Sequence, residues 1–475
     1  MSGTVSTSIF LLPDHPAMPT PHRTSRRKFL AQTTAAMATV TILPSGLLKA
    51  APNEKPDIAA VGVGGKGWVD ITESAKDGAA NVVAFCDVDS AGTARNGKKR
   101  SGSGFGAAAE KWPSARRYTD WRDMLDKEAK RLNGLTVSTP DHMHAPVTMP
   151  ALQLGSATYT QKPLTRTIHE SRQLTLAARK AGVATQMGNQ GHSGVPYRTL
   201  VELVRGGAIG KVKEAHTWSN RPIWPTHGID RPAGSSPVPE GLNWDLWLGV
   251  APQRPFVENV YHPFAWRGWF DFGAGALGDM GCHIIDPVYW SLGLTAPSRV
   301  WYEGPAPKPE TFPKSETIYY EFPGSQYTTD QTFQVIWYDG GLLPRAELAP
   351  LPAGEKLPDN GCLLLGEKGA ILCRHGGFPQ LLPQEKFTDY KVPQLPQLDH
   401  YHQWTDAIRG QGKPTSNFDY AGPLTEAVLL GTIACRFPGE KLEWDSANLK
   451  VKNLAKANDY VRQAYRKGWE VAGLS

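Results

Sequence analysis

The sequence predicts an α/β protein in two parts: a doubly wound parallel sheet, then an α+β domain with a large, mostly antiparallel open sheet. Three observations predict it. A glycine-rich turn joins an apolar strand to a helix near residue 62, strands and helices then alternate, and β-rich runs separated by proline and glycine follow. We place the boundaries at 1–51 for a leader, 52–183 for the parallel sheet and 184–475 for the second domain.

The leader has the pattern of a twin-arginine export signal. Ser25-Arg26-Arg27-Lys28-Phe29-Leu30 precedes an apolar run to Leu43 and a small-residue site at Ala50-Ala51. A disordered basic leader is the alternative, and Met18 is a second possible start. The signal predicts the twin-arginine translocase as a partner and a periplasmic or secreted location. The apolar run is too short to span a bilayer, and no cysteine near the cleavage site offers a lipid anchor, so no stable membrane anchor is predicted.

Charge and cysteine content exclude other classes. Residues 1–50 hold five basic and one acidic residue, so of the formal net charge of +6 only +2 belongs to the rest of the chain. That balance gives no reason to expect nucleic acid as a partner. The five cysteines have no zinc-ligand spacing and are predicted to be small buried hydrophobes; no metal site is predicted.

The glycine turn predicts a Rossmann nucleotide site. Ile58-Ala-Ala-Val-Gly-Val forms the strand, and Gly62, Gly64 and Gly67 serve the tight turn, the close approach of a pyrophosphate and helix packing. Gly65 and Lys66 complete the cofactor-binding turn at the helix N-terminus. Asp87 closes the next strand, where its carboxylate suits a ribose diol and favours NAD. The basic cluster Arg95 to Arg100 keeps NADP possible, and a plain turn is the bland alternative.

Later strands of the parallel sheet end in polar motifs. Thr139-Pro140 and His144 follow the strand Gly134–Thr139, and Gln161 and Lys162 precede Pro163 after the next one. Since ligands on open parallel sheets lie at the carboxyl ends of strands, these residues are predicted to line the cofactor site. A helix, His169–Ala181, follows.

From about Val183 the pattern changes to β-rich runs, with helices at the end. A proline- and tryptophan-rich insertion, residues 221–269, is too long for a connector and is predicted to cover the substrate side. Seven tryptophans lie between Trp218 and Trp290, either as core or as faces that stack on sugar rings. The predicted strands are Lys211–Trp218, Ser298–Glu303, Glu316–Phe322, Gln331–Tyr338 and Ala370–Arg374; the predicted helices are His400–Arg409, Tyr420–Cys435 and Val451–Arg466.

The second chemistry-bearing stretch runs from Trp266 to Trp290. A helix beginning near Gly278 would put Asp279, His283, Asp286 and Trp290 on one face and would bend at Pro287. A carboxylate and an imidazole one turn apart can hydrogen-bond one small ligand together. A structural aspartate cap with a satisfied histidine and a metal site are the alternatives to a catalytic face.

These motifs together resemble the Gfo/Idh/MocA oxidoreductases, from about Lys55 to the C-terminus. The resemblance rests on the glycine turn ending at Asp87, Thr139-Pro140 with His144, Lys162-Pro163 and the Asp279 to His283 spacing. It implies that Lys162, Asp279 and His283 surround nicotinamide and substrate, and that the open-sheet domain forms a homo-oligomer. The family usually has glutamate where Gln161 stands, so we expect the Lys162 ammonium to be less stabilised here.

An alcohol oxidation needs a base while hydride leaves, and a histidine suits that role. We therefore assign His283 as base, Lys162 as donor to the developing alkoxide and Asp279 as the group that orients them. Gln190, His192, Tyr261 and His262 are candidate substrate contacts, and Trp266 and Arg267 are candidate contacts at the cofactor.

The sequence thus predicts an exported oxidoreductase that keeps its NAD and acts on a hydroxyl of a sugar or sugar derivative. Cofactor retention follows from export, because no nicotinamide supply exists outside the cytoplasm. A redox-neutral NAD-dependent glycosidase, which oxidises, eliminates, hydrates and reduces, is the main alternative. A non-catalytic carbohydrate-binding protein is the third hypothesis.

Overall fold

The computed structural model describes residues 54–93 and 102–475. The export signal and the basic cluster from Arg95 to Arg100 lie outside the described residues. No helix in the described part of the chain is long and apolar enough to cross a membrane.

The predicted parallel sheet is present, with six strands in the order β3-β2-β1-β4-β5-β6. All five neighbouring pairs are parallel. The strands are β1 Asp57–Val61, β2 Asn81–Cys86, β3 Arg116–Tyr118, β4 Gly134–Val137, β5 Ala157–Thr160 and β6 Thr185–Met187. The helices between and after them are α1 Lys66–Ser74, α2 Phe105–Lys111, α3 Trp121–Glu128, α4 His144–Gln153, α5 Ile168–Ala181 and α6 Val195–Arg205.

The central strands β1, β4, β5 and β6 are buried on both faces, as expected of parallel strands between helices, whereas edge strand β3 is largely exposed. Ile58 and Ala60 face one cluster with Phe85, and Ala59 and Val61 face another. Strand β6 pairs with β5, so the sheet extends past the boundary that we placed at 183.

The second sheet has nine strands among the described residues, in the order β13-β12-β11-β7-β10-β9-β8-β14-β15. Only the pair β7 and β10 is parallel, so the mostly antiparallel prediction is confirmed. The strands are β7 Val212–Trp218, β8 Arg299–Glu303, β9 Thr317–Pro323, β10 Thr332–Tyr338, β11 Gly361–Gly366, β12 Ala370–Arg374, β13 Pro379–Leu382, β14 Lys441–Asp445 and β15 Lys450–Val451.

Helices cover one face of this sheet, and their apolar residues share its largest core. The buried sheet residues Val300, Ile318, Tyr320 and Val335 lie in that core with residues from α4, α5, α6 and three further helices. The helices after α6 are α7 Trp244–Leu248, α8 Gly275–Ile284, α9 Asp286–Leu292, α10 His400–Ile408 and α11 Phe418–Ala434. Of these, α8, α9 and α11 are the three that contribute to the core. Helix α10 packs instead on the parallel sheet, where Trp404 contributes to the core beside β1.

Two helix predictions differ from the structure. The helix expected near Gly278 begins three residues earlier, at Gly275, whose φ of +67° favours glycine. It ends at Ile284, and a second helix begins at Asp286 with Pro287 in its first turn. The helix expected over Val451–Arg466 is wrong: only a short 3-10 turn, Ala455–Tyr460, forms there. The Asn458 side chain accepts from the Val451 N–H (2.8 Å) and donates to the Val451 carbonyl (3.0 Å), so it competes with helical hydrogen bonds.

Candidate active site

The glycine turn has the shape that a dinucleotide pyrophosphate needs. A Cβ on Gly67 would lie 2.0 Å from the Gly62 carbonyl oxygen, so only glycine allows helix α1 to approach β1 this closely. Around Gly64, by contrast, the nearest atom to an added Cβ is an Asp87 oxygen at 3.9 Å. This space, in front of the α1 N-terminus, leaves room for the phosphates.

Asp87 is held at the turn by two backbone hydrogen bonds. Its Oδ2 accepts from the Val63 N–H (2.9 Å) and its Oδ1 from the Asp89 N–H (3.0 Å). Each oxygen retains a lone pair for a ribose hydroxyl. The residues present therefore fit an NAD adenosine ribose.

Lys66 and Gln161 converge on a buried carboxylate, Asp70. Lys66 Nζ lies 2.6 Å from Asp70 Oδ1, and Gln161 Nε2 donates to Asp70 Oδ2 at 2.9 Å, as does the Ser138 hydroxyl at 2.8 Å. Burial raises the pKa of Asp70, although Lys66 opposes that rise. Gln161 therefore donates a hydrogen bond to a buried carboxylate instead of carrying a negative charge itself.

His144 ties two cofactor-side loops together. Its Nδ1 lies 2.7 Å from the Pro163 carbonyl and its Nε2 2.9 Å from the Thr139 carbonyl. The ring is buried, and burial lowers its pKa to about 4. Its position fixes Thr139 and Pro140 relative to the segment that carries Lys162.

Two of the three predicted catalytic residues, Lys162 and Asp279, contact each other at the middle of α8. Lys162 Nζ donates to the Asp279 carboxylate (2.7 Å) and to the Asp279 carbonyl (2.6 Å). Arg267 Nε donates to the same carboxylate at 3.2 Å, and Arg221 Nε lies 3.6 Å from it. Burial alone would raise the pKa of Asp279, but Lys162, Arg267 and Arg221 together lower it below the ordinary value.

His283 lies one turn further along α8, and its environment keeps it neutral. Burial, followed by Lys162 and His375, lowers the pKa of His283 well below the ordinary value. Its Nδ1 is buried and has no hydrogen-bond partner among the described residues. A neutral imidazole with an open nitrogen is suited to accept a proton.

The structure adds three residues that the sequence did not identify. His375, after β12, has its ring 5.4 Å from that of His283, and its Nδ1 lies 2.7 Å from the Tyr197 hydroxyl. Burial, Lys162 and Arg221 lower the pKa of His375. Arg221 begins the insertion and carried no local pattern, and His375 lies in a glycine-rich turn, so neither gave a signal in the sequence.

Asp141 is the third addition. It lies inside the Thr139 to His144 motif, but no role was assigned to it. Burial raises its pKa to about 7, against the lowering effect of Arg267 and Lys162. Its position in the motif was the one available signal.

The remaining predicted contacts have other partners. Gln190 donates to the Tyr159 hydroxyl (3.1 Å), and buried His192 lies 3.0 Å from Asp286 and stacks on Trp290 at 4.0 Å between centroids. Tyr261 is buried among aromatic rings. Arg267 stacks on Trp266 (4.2 Å from guanidinium carbon to centroid) and bonds Asp279, so this pair lies beside the catalytic carboxylate.

His262 and its neighbours show where the insertion lies. His262 Nδ1 accepts from Trp247 Nε1 (3.0 Å), so Nε2 carries the proton and donates to Asp89 (2.9 Å). The Asn243 N–H donates to the Val88 carbonyl (2.8 Å), and the Ser90 N–H to the Gly241 carbonyl (2.9 Å). This part of the insertion therefore packs on the loop after Asp87, at the ribose end, and not only on the substrate side.

Among residues 54–93 and 102–475, no group of three or more His, Cys, Asp or Glu side chains is arranged to hold a metal ion.

Fold and site together define a nucleotide-binding oxidoreductase, and comparison with known proteins assigns the family. Residues 57–189 match the NAD-binding Rossmann fold of the Gfo/Idh/MocA oxidoreductase family, and residues 213–334 match its C-terminal alpha/beta domain. The two matches span more than half of the 475 residues. The chain belongs to the Gfo/Idh/MocA family, and its first domain is the NAD-binding Rossmann fold of that family.

Two characterised relatives match part of the chain. A levoglucosan dehydrogenase of Pseudarthrobacter phenanthrenivorans is 22% identical over 191 residues, 39% of this chain and 39% of the relative. A 1,5-anhydro-D-fructose reductase of Ensifer adhaerens is 28% identical over 132 residues, 27% of this chain and 38% of the relative. The chain thus matches about two fifths of the length of each relative.

Solved structures resemble the fold over most of the chain. The WlbA dehydrogenase of Bordetella pertussis, in complex with NADH and UDP-GlcNAcA, has a TM-score of 0.55 at 16% identity and covers 82% of this chain and 99% of its own. An inositol dehydrogenase homologue of Azotobacter vinelandii, with NADH and myo-inositol, has a TM-score of 0.52 at 16% identity and covers 83% and 100%. At this identity the likeness concerns the fold.

Proposed function

We propose that the chain is an exported oxidoreductase that retains NAD and oxidises a hydroxyl of a sugar or sugar derivative. The observation that carries the proposal is the Asp279 carboxylate, held by Lys162, Arg267 and Arg221, with His283 one helical turn away. The substrate class is supported by the sugar-derived compounds in the names of the two relatives.

The roles of the side chains follow from their charge states. Asp279 stays ionised and anchors Lys162, whose third N–H can donate to a substrate oxygen as it becomes an alkoxide. His283 is neutral and accepts the hydroxyl proton. NAD, when bound, supplies the acceptor for the hydride.

Retention of the cofactor is the second part of the proposal. The contacts from Asn243 and His262 of the insertion fasten the loop that follows Asp87, and a fastened loop at the ribose end would slow the departure of NAD. Export of a folded protein, indicated by the twin-arginine pattern in the sequence, would then deliver the enzyme with its cofactor. The residues of that pattern lie outside the described part of the chain.

A redox-neutral glycosidase is the alternative, and His375 favours it. After oxidation of a hydroxyl, a second base must remove the proton from the neighbouring carbon so that the aglycone leaves; water then adds and the hydride returns. His283 and His375, both with lowered pKa values, provide two neutral bases in one site.

One experiment separates the two functions. The purified protein, without added cofactor, is given aryl glycosides and free sugars in heavy water, and aglycone release, nicotinamide reduction and deuterium uptake are followed. Reduction of bound NAD that stalls after one turnover, until a second carbonyl compound is supplied, is the result expected for the oxidoreductase. Repeated aglycone release with deuterium uptake and no net reduction would replace it with the glycosidase. If neither occurs on a broad panel, the carbohydrate-binding hypothesis gains support.

A further inference from the structure

We infer that the chain has a second binding site, for a small oxyanion, in a cavity formed behind the segments that carry Lys162 and Asp279. The cavity has a volume of about 200 Å³. Its cationic lining comes from Arg166, Arg436 and Arg462. Arg166 follows Lys162 by four residues, and Phe270 to Gly273 of the lining immediately precede α8.

Arg436 is the centre of the proposed site. Its guanidinium lies between two aromatic rings, with its carbon 3.5 Å from the Phe270 centroid and 4.2 Å from that of Tyr460. Within the described residues, this guanidinium makes no hydrogen bond and no ion pair. Arginine keeps its charge in proteins, and withdrawing a charge from water costs several kcal/mol unless an acceptor compensates. Contact with the two rings holds the guanidinium in place without using its N–H groups.

Arg166 adds a second incomplete donor. Its Nη1 donates to the Phe270 carbonyl at 2.6 Å, so the side chain is fixed in place. Its Nε is buried and has no acceptor among the residues that the structure describes. The proximity of Arg166 to Arg436 also lowers the pKa of Arg436, after burial, which is the larger cause.

Asp271 exerts some electrostatic attraction on Arg436, but two of the three carboxylates in the lining are paired with arginines outside it. Asp271 is paired with Arg254, and Glu310 is held by Arg231 at 2.7 Å. Asp459 lies exposed on the rim, opposite exposed Arg462. Among the described residues, none of the three arginines of the lining has a carboxylate as an ion-pair partner.

The size of the cavity limits the ligand. Pockets for drug-sized molecules run from about 300 to 1,000 Å³, so this one is suited to a smaller group. Phosphate, or the carboxylate of a sugar acid, has the planar or tetrahedral oxygens that paired guanidiniums recognise. Because Arg166 bonds the Phe270 carbonyl, a bound anion would brace the two chain segments that lead to Lys162 and Asp279.

The test measures binding without reference to catalysis. Thermal unfolding and calorimetric titration of the full chain are recorded with potassium phosphate, with sodium glucuronate, and with chloride at matched ionic strength. We expect saturable stabilisation by phosphate or glucuronate and none by chloride. The tighter of the two identifies whether an inorganic oxyanion or a sugar acid is the better occupant.

Variants locate the site. Arg436→Met, which keeps the apolar stem, should remove the saturable binding, and Arg462→Met on the exposed rim should weaken it several-fold without altering the fold. Arg179→Met, at an arginine on exposed α5, is the matched control and should bind as the wild type does. Equal binding by the wild type and both test variants, or the absence of saturable binding to the wild type, would overturn the inference. Should Arg436→Met unfold, the Arg462→Met titration decides.

Discussion

Lys162, Asp279 and His283 are expected to separate cofactor binding from turnover. None of them lies in the glycine turn, and the contacts of Asp87 are independent of them. We predict that Lys162→Ala and His283→Ala each leave NAD bound and lower turnover at least roughly 100-fold, because proton transfer and alkoxide stabilisation are lost. Nucleotide released on denaturation and the turnover rate measure the two effects. His169→Ala, outside this site, is the control, and full activity in both variants would refute the assignment.

Gln161→Glu should destabilise the protein, although it restores the residue usual in the family. The Gln161 amide donates to Asp70 at 2.9 Å, and glutamate would face that carboxylate with like charge. Repulsion between the new carboxylate at position 161 and Asp70 raises the pKa of this pair in the folded protein. The folded state therefore holds a proton that the unfolded chain has lost, and the stability of the variant falls as pH rises. We expect a loss of about 1–3 kcal/mol at pH 8, smaller at pH 5, by denaturant unfolding.

The double variant Gln161→Glu, Asp70→Asn is the control for that prediction. It moves the charge from one side chain to the other and keeps one amide against one carboxylate. Recovery of stability supports the argument, whereas a Gln161→Glu variant as stable as the wild type at pH 8 contradicts it.

The stability of the protein should also depend on pH through Asp141. Here the cause is the burial of one carboxyl group and not the repulsion between two. Its pKa is about 7 in the folded protein and 3.8 ordinarily, so folding takes up a proton between those values. Stability contributed by Asp141 is therefore lost as pH rises from about 4 to 7. Asp141→Asn should raise the free energy of unfolding more at pH 8 than at pH 4. The difference should be smaller than the roughly 4 kcal/mol that corresponds to the difference between the two pKa values. Denaturant unfolding at the two pH values measures it. Asp459→Asn, at an exposed site, should show no such difference.

Among the elements of the fold, the insertion of residues 221–269 is the one whose position was hardest to predict from the sequence. Its tryptophans and prolines predicted a cover, but the pairing of Asn243 with Val88 and of His262 with Asp89 joins residues more than 150 positions apart. Local patterns hold no information on such contacts. The glycine turn could be predicted because its glycines are required by contacts between neighbouring parts of the chain. The helix predicted over Val451–Arg466 was wrong because the Asn458 side chain hydrogen-bonds the Val451 backbone groups that a helix would use.

The insertion is predicted to control the escape of NAD. His262→Leu removes the hydrogen bond to Asp89 and leaves the Asp87 contacts in place. Hydrogen bonds to charged groups contribute about 1.5–3 kcal/mol, so we expect NAD to dissociate roughly ten-fold faster or more, with turnover preserved when NAD is supplied. Loss of copurified nucleotide and the dissociation rate measure this. His169→Leu is the matched control; an unchanged dissociation rate in His262→Leu would show that the insertion does not retain the cofactor.

Over the whole molecule, contacts between residues that are distant in the sequence could not be predicted. The fold class follows from patterns within single segments, whereas the grouping of Lys162 with Asp279 was implied only by the family resemblance. Asp279 also needs Arg221 and Arg267, and His283 lies beside His375, 92 positions along the chain, so the electrostatics of the site depend on how the two sheets are brought together. The charge states and pKa shifts of Asp279 and His283 could therefore not be deduced from the sequence.

One face of the nine-stranded sheet carries a mainly aromatic and apolar row whose part on β8 and β9 is partly exposed, which suits self-association. Pairing registers align Lys441, Trp301, Tyr319, Ile336 and His216 on neighbouring strands. Trp301 and Tyr319 are partly exposed and stack with their rings 5.0 Å apart, and Lys441 lies over Trp301. Half-exposed aromatic rows of this kind are typical of protein interfaces.

We therefore predict that the chain assembles as a homo-oligomer through this face. Trp301→Glu with Tyr319→Glu places two charges at the centre of the row, and desolvating them on association would oppose assembly. Light scattering after size exclusion should give the mass of one chain for the double variant and a multiple of it for the wild type. Leu176→Glu, at an exposed apolar residue on α5, is the matched control and should keep the wild-type mass. Because Val300, Tyr302 and Tyr320 face the opposite side of the sheet, the fold and the bound NAD should survive the change. A monomeric wild type, or a double variant with the wild-type mass, would exclude this face as the interface.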